Sequence, residues 1–148
     1  MNLQEMTPLV ESSLAGMNLD PVACRTDRPG HWTYKHGEAV VWIDVFSPPA
    51  NEGRWYFQVM SPLCALPDKK TLEFYQETME INYLLYGSWI CKKDNWFYVN
   101  YLRETASIDQ SEVDATIDRV GYYSEEYKLK LAEKFAGCWS KPVAEATH

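Results

Sequence analysis

The side chains that could carry chemistry are few. Three histidines occur, His31, His36 and His148. His31 and His36 flank one short strand-like segment, where two imidazoles could hold a metal ion or supply a general base. No cysteine or carboxylate accompanies them at ligand spacing, so they read as two solvated hairpin residues. Carboxylates pair on helical segments, Glu77 with Glu80 and Glu125 with Glu126. A glycosidase-type pair needs one acid in an apolar pocket that raises its pKa. These acids lie among polar neighbours and read as solvent faces. The glycines form neither GxGxxG nor a GKS or GKT loop, and no GxSxG occurs. A phosphate cradle and a nucleophile elbow are therefore not predicted. Cys24, Cys64, Cys91 and Cys138 are far apart and none belongs to a CxxC pair, so they read as free thiols without zinc or dithiol-redox spacing. The chain is expected to have no catalytic residues, no metal site and no cofactor.

Two other features could recognise something. Asn82 interrupts an apolar helical stripe. A buried amide there must be hydrogen-bonded or it costs about 1–3 kcal/mol. The reading is structural, an amide tying its helix to a neighbouring backbone segment, with a ligand contact as the alternative. The aromatic residues form the second feature. Six Trp and ten Tyr exceed what one small core hides easily. Trp42, Trp55, Tyr56, Trp89, Trp96 and Tyr98 fall on strand-like segments, where alternation puts Trp55 and Tyr56 on opposite faces. With helices covering one face of a sheet, the other would present rings to a partner.

Those residues need elements to position them. Leu3, Met6, Val10, Leu14 and Met17 recur at helical spacing, which predicts a helix over 2–17 ending near Gly16, with Pro8 kinking it or delaying its start. Residues 20–30 read as an extended link or short irregular strand. A hairpin follows, 31–35 and 38–46 around His36-Gly37, the second arm rich in β-branched and aromatic residues. Residues 47–53 are a loop, and 54–66 a strand that Pro62 should bend or end. Asp68 should cap a second helix with Leu72, Tyr75, Met79, Asn82 and Tyr86 on one stripe and Gly87 at its C-cap. A second hairpin joins 88–92 to 96–103 through Lys93-Asp94-Asn95. Asp109 and Glu112 resemble a capping box for one long last helix. Its apolar face carries Val113, Ile117, Val120, Tyr127, Leu131 and Phe135, with a bend point at Gly121 and a stop at Gly137. The order α-β-β-β-α-β-β-α predicts an α+β fold, an antiparallel sheet flanked by helices. One domain over 1–137 and a flexible C-terminal tail over 138–148 are expected.

Composition sets outer limits. A chain of 148 residues suits one domain and can bury roughly two-thirds of its unfolded surface. Net charge is −7 and the Lys and Arg residues are dispersed, so nucleic acid is not an expected partner. No stretch approaches the roughly 20 apolar residues of a membrane span. The opening MNLQEMTPLVESSLAG carries acids where a signal peptide carries basic residues. Free thiols without an export signal predict a cytoplasmic protein.

Four features together carry a resemblance. They are the helix ending in INYLLYG, the paired strands SWICKKDNWFYVNYL, the acidic start at Asp109 and the long amphipathic last helix. Residues 72–135 thereby resemble the YbjN family and the wider type III secretion chaperone-like fold, and the preceding helix and three strands match the same order. In that fold an asparagine often stands ahead of the second hairpin, where Asn82 stands here. The resemblance implies a helix-sheet-helix sandwich, often dimeric, that binds other polypeptides and has no catalytic residues. YbjN-like members are regulators. The expected function is a non-enzymatic protein-binding module, chaperone-like or a regulatory adaptor. It would be a homodimer acting through the aromatic face and its flanking helices. The alternative is a small-molecule-binding domain with a cleft between helix and sheet.

Overall fold

The computed structural model describes residues 1–135 and Cys138. Its elements run α1 (Leu3–Gly16), α2 (Pro21–Cys24), β1 (His31–His36), β2 (Ala39–Phe46), β3 (Tyr56–Ala65), α3 (Thr71–Leu84), β4 (Trp89–Lys93), β5 (Trp96–Glu104) and α4 (Gln110–Lys134). The α+β class and the order of the larger elements are those expected. The five strands form one antiparallel sheet in the order β1-β2-β3-β5-β4. Every second residue of each strand points into the main core, so Val41, Ile43, Val45, Phe57, Val59, Phe97 and Val99 meet Val113, Ile117, Val120 and Leu131 of α4.

Several local expectations are corrected. The extended link at 20–30 contains the one-turn helix α2, because the Asp20 side chain accepts from Val22 N and Pro21 sits at the first helical position. Pro8 lies inside α1 without delaying its start, since a capping box between Asn2 and Glu5 fixes the first turn. The first hairpin turns at 37–38, and residues 49–51 of the following loop wind into a single 3-10 turn. Pro62 does not end β3. The register shifts between Pro62 and Cys64, and the strand continues to Ala65 with Leu63 and Cys64 both buried in the main core.

Asp68 does not cap α3. Lys70 holds that position with φ 57° and no side-chain bond, because the helix begins three residues beyond Asp68. The stripe of α3 is also out of phase. Its buried residues are Phe74, Thr78 and Ile81, with Leu85 just beyond. Leu72, Met79 and Tyr86 of the expected stripe face solvent, and Tyr75 is on the margin. Apolar residues occupy both sides of this helix, and periodicity cannot say which side meets the core.

The last helix is continuous through Gly121. Asp109 caps it, accepting from Glu112 N at 2.9 Å. The reciprocal half of the capping box is missing because Glu112 spends its carboxylate on Tyr101 (2.7 Å) and Arg103 (2.7 and 2.8 Å). Phe135 forms the C-cap; the stop expected at Gly137 lies outside the described residues, as does the expected tail apart from Cys138. That cysteine is disulfide-bonded to Cys64, so the expectation of four free thiols fails and only Cys24 and Cys91 are free. Spacing could not reveal the bond, since its partners stand 74 residues apart.

The contact between α4 and the sheet is unusually close at two points. A Cβ on Gly121 would stand 2.7 Å from the His36 ring and 2.8 Å from its Cβ. One turn on, Ser124 Oγ lies 2.6 Å from Ser61 Oγ, and Ser61 donates to the Val40 carbonyl at 2.5 Å. Both serines are fully buried. Gly121→Val should therefore lower stability by about 1–3 kcal/mol through overpacking, measured by urea denaturation.

Glu112 gives a second expectation. Its hydrogen bond from Tyr101, then that from Arg103, holds its carboxyl below the ordinary value of 4.5. Such a group stabilises the fold above its unfolded pKa, and the contribution is lost as pH falls through the lower folded value. Glu112→Gln should shift the urea midpoint downward near neutrality, with the gap to the native protein closing below about pH 4.

Candidate functional site

The surface of α3 is where this chain departs from an ordinary globular face. Leu72, Met79 (70% exposed), Tyr83 (91% exposed), Leu84 and Tyr86 stand out from the molecule, and Tyr75 and Trp89 are exposed at the margin. From Leu72 to Leu84 the exposed residues span about 18 Å of helix, and Tyr86 follows just beyond the helix end. Scattered apolar residues on a surface are ordinary, whereas here Leu72, Tyr75, Met79 and Tyr83 recur at helical spacing on one side of a single helix, with exposed Glu73, Gln76 and Glu80 beside them. A helix that is apolar on two faces normally has both covered. Here the inner face is held by Phe74, whose ring meets Phe97 at 4.8 Å and Phe135 at 5.2 Å between centroids, both edge-on.

Asn82 fastens the same helix to the sheet. Its Oδ1 accepts from Ile90 N at 2.5 Å and its Nδ2 donates to Ile90 O at 3.3 Å. The amide thus presents to β4 the donor and acceptor that another strand would present. At the far end, Tyr86 N donates to Tyr123 OH on α4 at 3.1 Å, and in the first half of the helix Glu77 binds Lys134 at 2.7 Å.

The six aromatic residues singled out in the sequence do not share one environment. Trp42 (7% exposed) and Tyr98 (6% exposed) are buried with Met60 in a second cluster on the sheet face away from the main core, their centroids 6.1 Å apart. Trp96 packs partly buried against that cluster. Tyr56 stacks on Phe46 at 5.8 Å. Trp55 lies just before β3 and packs against the main core instead. Only Trp89 reaches the exposed range, at 38%, beside the end of α3.

The remaining chemical candidates are occupied or dispersed. His31 is 1% exposed, not solvated, with Thr26 Oγ1 at 2.8 Å from Nδ1. Its strand alternation carries it under the polar row of Asp44 and Gln58, which flat sequence spacing does not display. His36 faces Glu125 at 3.7 Å. Glu126 pairs with Lys130 and Glu77 with Lys134. Among the described residues no group of three metal-ligating side chains forms. Burial pushes the Cys91 thiol up to about 11, and burial and then Asp20 raise that of Cys24. Neither thiol is an activated nucleophile near neutrality. Clefts of about 520 Å³ between α1 and α4 and about 380 Å³ beside Phe135 are lined without Asn82 or the aromatic set. No helix among the described residues is long and apolar enough to cross a membrane.

Replacing Asn82 by Leu removes both bonds to Ile90 and leaves its polar groups unpaired. A loss of about 1–3 kcal/mol in stability is expected, with faster amide exchange at Ile90 as the local signature.

No protein-family model matches the chain, and no curated protein sequence does. Solved structures do match. A chain of the ExsC-ExsE complex superposes with TM-score 0.63 at 9% identity, covering 87% of this chain and 96% of that one. The Yersinia pestis type III secretion chaperone SycH, in complex with a fragment of YscM2, gives TM-score 0.56 at 12% identity over 84% of this chain and 98% of that one. The ExoU-SpcU complex from the type III secretion system of Pseudomonas aeruginosa gives 0.55 at 14% identity over 85% and 97%. At these identities the likeness is one of architecture, and the chain has a secretion-chaperone-like fold.

Proposed function

We propose that this chain is a non-enzymatic protein-binding module, a chaperone-like or regulatory adaptor that works as a homodimer. The observation that carries the reading is the outward stripe of α3, which sits beside Trp89 with its rings uncovered. Its length and apolar character suit a second helix better than a small molecule. A second copy of the same helix is self-complementary across a two-fold axis. The structures that share this fold were solved as chaperone-effector or related protein complexes, which supports a polypeptide partner. The sheet cluster of Trp42, Trp96 and Tyr98, with Tyr56 farther along β3, is proposed as the second contact region. Kinship with the YbjN family, on the INYLLYG and SWICKKDNWFYVNYL segments, and a cytoplasmic site of action belong to the same proposal.

Sedimentation of the purified chain tests it. The native protein is expected as a dimer at tens of micromolar, and Met79→Glu with Tyr83→Glu should weaken association by more than about 30-fold without loss of fold. An unfolded, carboxymethylated polypeptide should bind saturably. A monomer that ignores such a polypeptide would remove the reading.

A further inference from the structure

Cys64 and Cys138 are both about 1% exposed, with Cα atoms 5.2 Å apart. The bond joins β3 to the end of α4. Cys138 N donates to Phe135 O at 3.3 Å, and Phe135 N donates to Leu131 O at 2.9 Å, so Phe135 is held both by α4 and by the disulfide-bonded residue. That ring is one of two that hold Phe74, and Lys134 beside it holds Glu77. All these tie points lie in the N-terminal half of α3. No side chain caps that half, because Lys70 offers its backbone alone. Asn82 and Tyr86 anchor only the other end. Support for the beginning of α3 therefore comes from two sides, from β5 through Phe97, which meets Phe74 and Tyr75, and from the end of α4 through Phe135, which lies three residues before the cysteine that the disulfide ties to β3.

We propose that the Cys64–Cys138 disulfide is a redox latch that controls how firmly the outward stripe of α3 is presented. This rests on the reading of α3 as a binding surface. Oxidised, the latch holds Phe135 against Phe74 and keeps Leu72, Tyr75 and Met79 in one fixed row. Reduced, it frees Phe135 to leave, and the first half of α3 loosens. The reductant is an external dithiol. Its thiolate attacks one sulfur to give a mixed disulfide, and its second thiol displaces the remaining protein sulfur. Two electrons and two protons pass to Cys64 and Cys138, and the dithiol leaves as a disulfide. Both sulfurs are buried, so attack waits for local opening and the rate should level off as reductant is raised.

The test uses the full chain purified without reductant, with dithiothreitol as the probe. Alkylation of the denatured protein should label only Cys24 and Cys91 before treatment, and Cys64 and Cys138 as well afterwards. Amides in the first half of α3 should then exchange about tenfold faster, with β2 and β3 little changed. Cys138→Ala should show the fast α3 in both conditions, while Cys24→Ser with Cys91→Ser keeps the response. All four thiols labelled in protein treated with oxidised glutathione would overturn the latch, as would unchanged α3 exchange after verified reduction. Sedimentation of the same samples separates the two ideas. A dimer whose α3 ignores reduction refutes the latch alone, and a loosened α3 in a chain that never associates sustains the latch and refutes the surface.

Discussion

Everything on the helical side of the sheet is placed by how closely α4 can approach the strands beneath it. Gly121 removes the side chain that would hold helix and hairpin apart, and the His36 side chain fills the space. Gly37, in the turn of that hairpin at φ 59°, leaves room for the Glu125 carboxylate, whose oxygen would stand 2.1 Å from a Cβ there. Ser124 and Ser61 satisfy each other at the next contact and spare the interior two orphaned hydroxyls. With its middle so low on the sheet, α4 drives Ile117, Val120 and Leu131 deep into the core. Its two ends become docking points. Gln110 donates to Leu9 O on α1 at 2.9 Å, and Phe135 and Lys134 receive α3.

Helix α3 obeys a different logic. Its inner residues, Phe74, Thr78 and Ile81, are a thin apolar row, while its outer residues are the bulkier ones. A sequence selected only for burying one stripe would place its rings the other way round. Local rules are broken here without a compensating internal gain, and such conflicts concentrate at surfaces that work on something else. The chain spends hydrophobic area on the outside of α3 and secures the helix by polar means, an amide on Ile90, a phenol on Tyr86 N and an ion pair on Glu77.

Much of this architecture was legible from residue order. The β-branched runs of β2, the turn residues at Gly37 and Asp94, and the Asp109 cap each act over a few residues, which is the range that local reading covers. What escaped it depends on distant partners. The phase of α3 is decided by Phe97 and Phe135, neither of which adjoins it in sequence. His31 looked like a hairpin residue until Thr26 and the neighbouring strands enclosed it. Cys64 and Cys138 meet only because the bulge at Pro62 turns Cys64 inward toward the end of α4. The aromatic residues were recognisable as a surplus, but register sent Trp42 and Tyr98 into a buried cluster and left most of the exposed rings on or beside α3.

The bracket that Asn82 places on Ile90 reaches beyond its own two hydrogen bonds. An outer strand with open amides invites another chain to extend the sheet, and a molecule that also carries a sticky helix beside that strand would have two directions in which to grow. Occupying Ile90 from within the same chain, with Lys92 and Lys93 following it along the strand, blunts the β4 edge of the sheet. A small amide thereby withdraws one point of the outer strand from pairing with another chain.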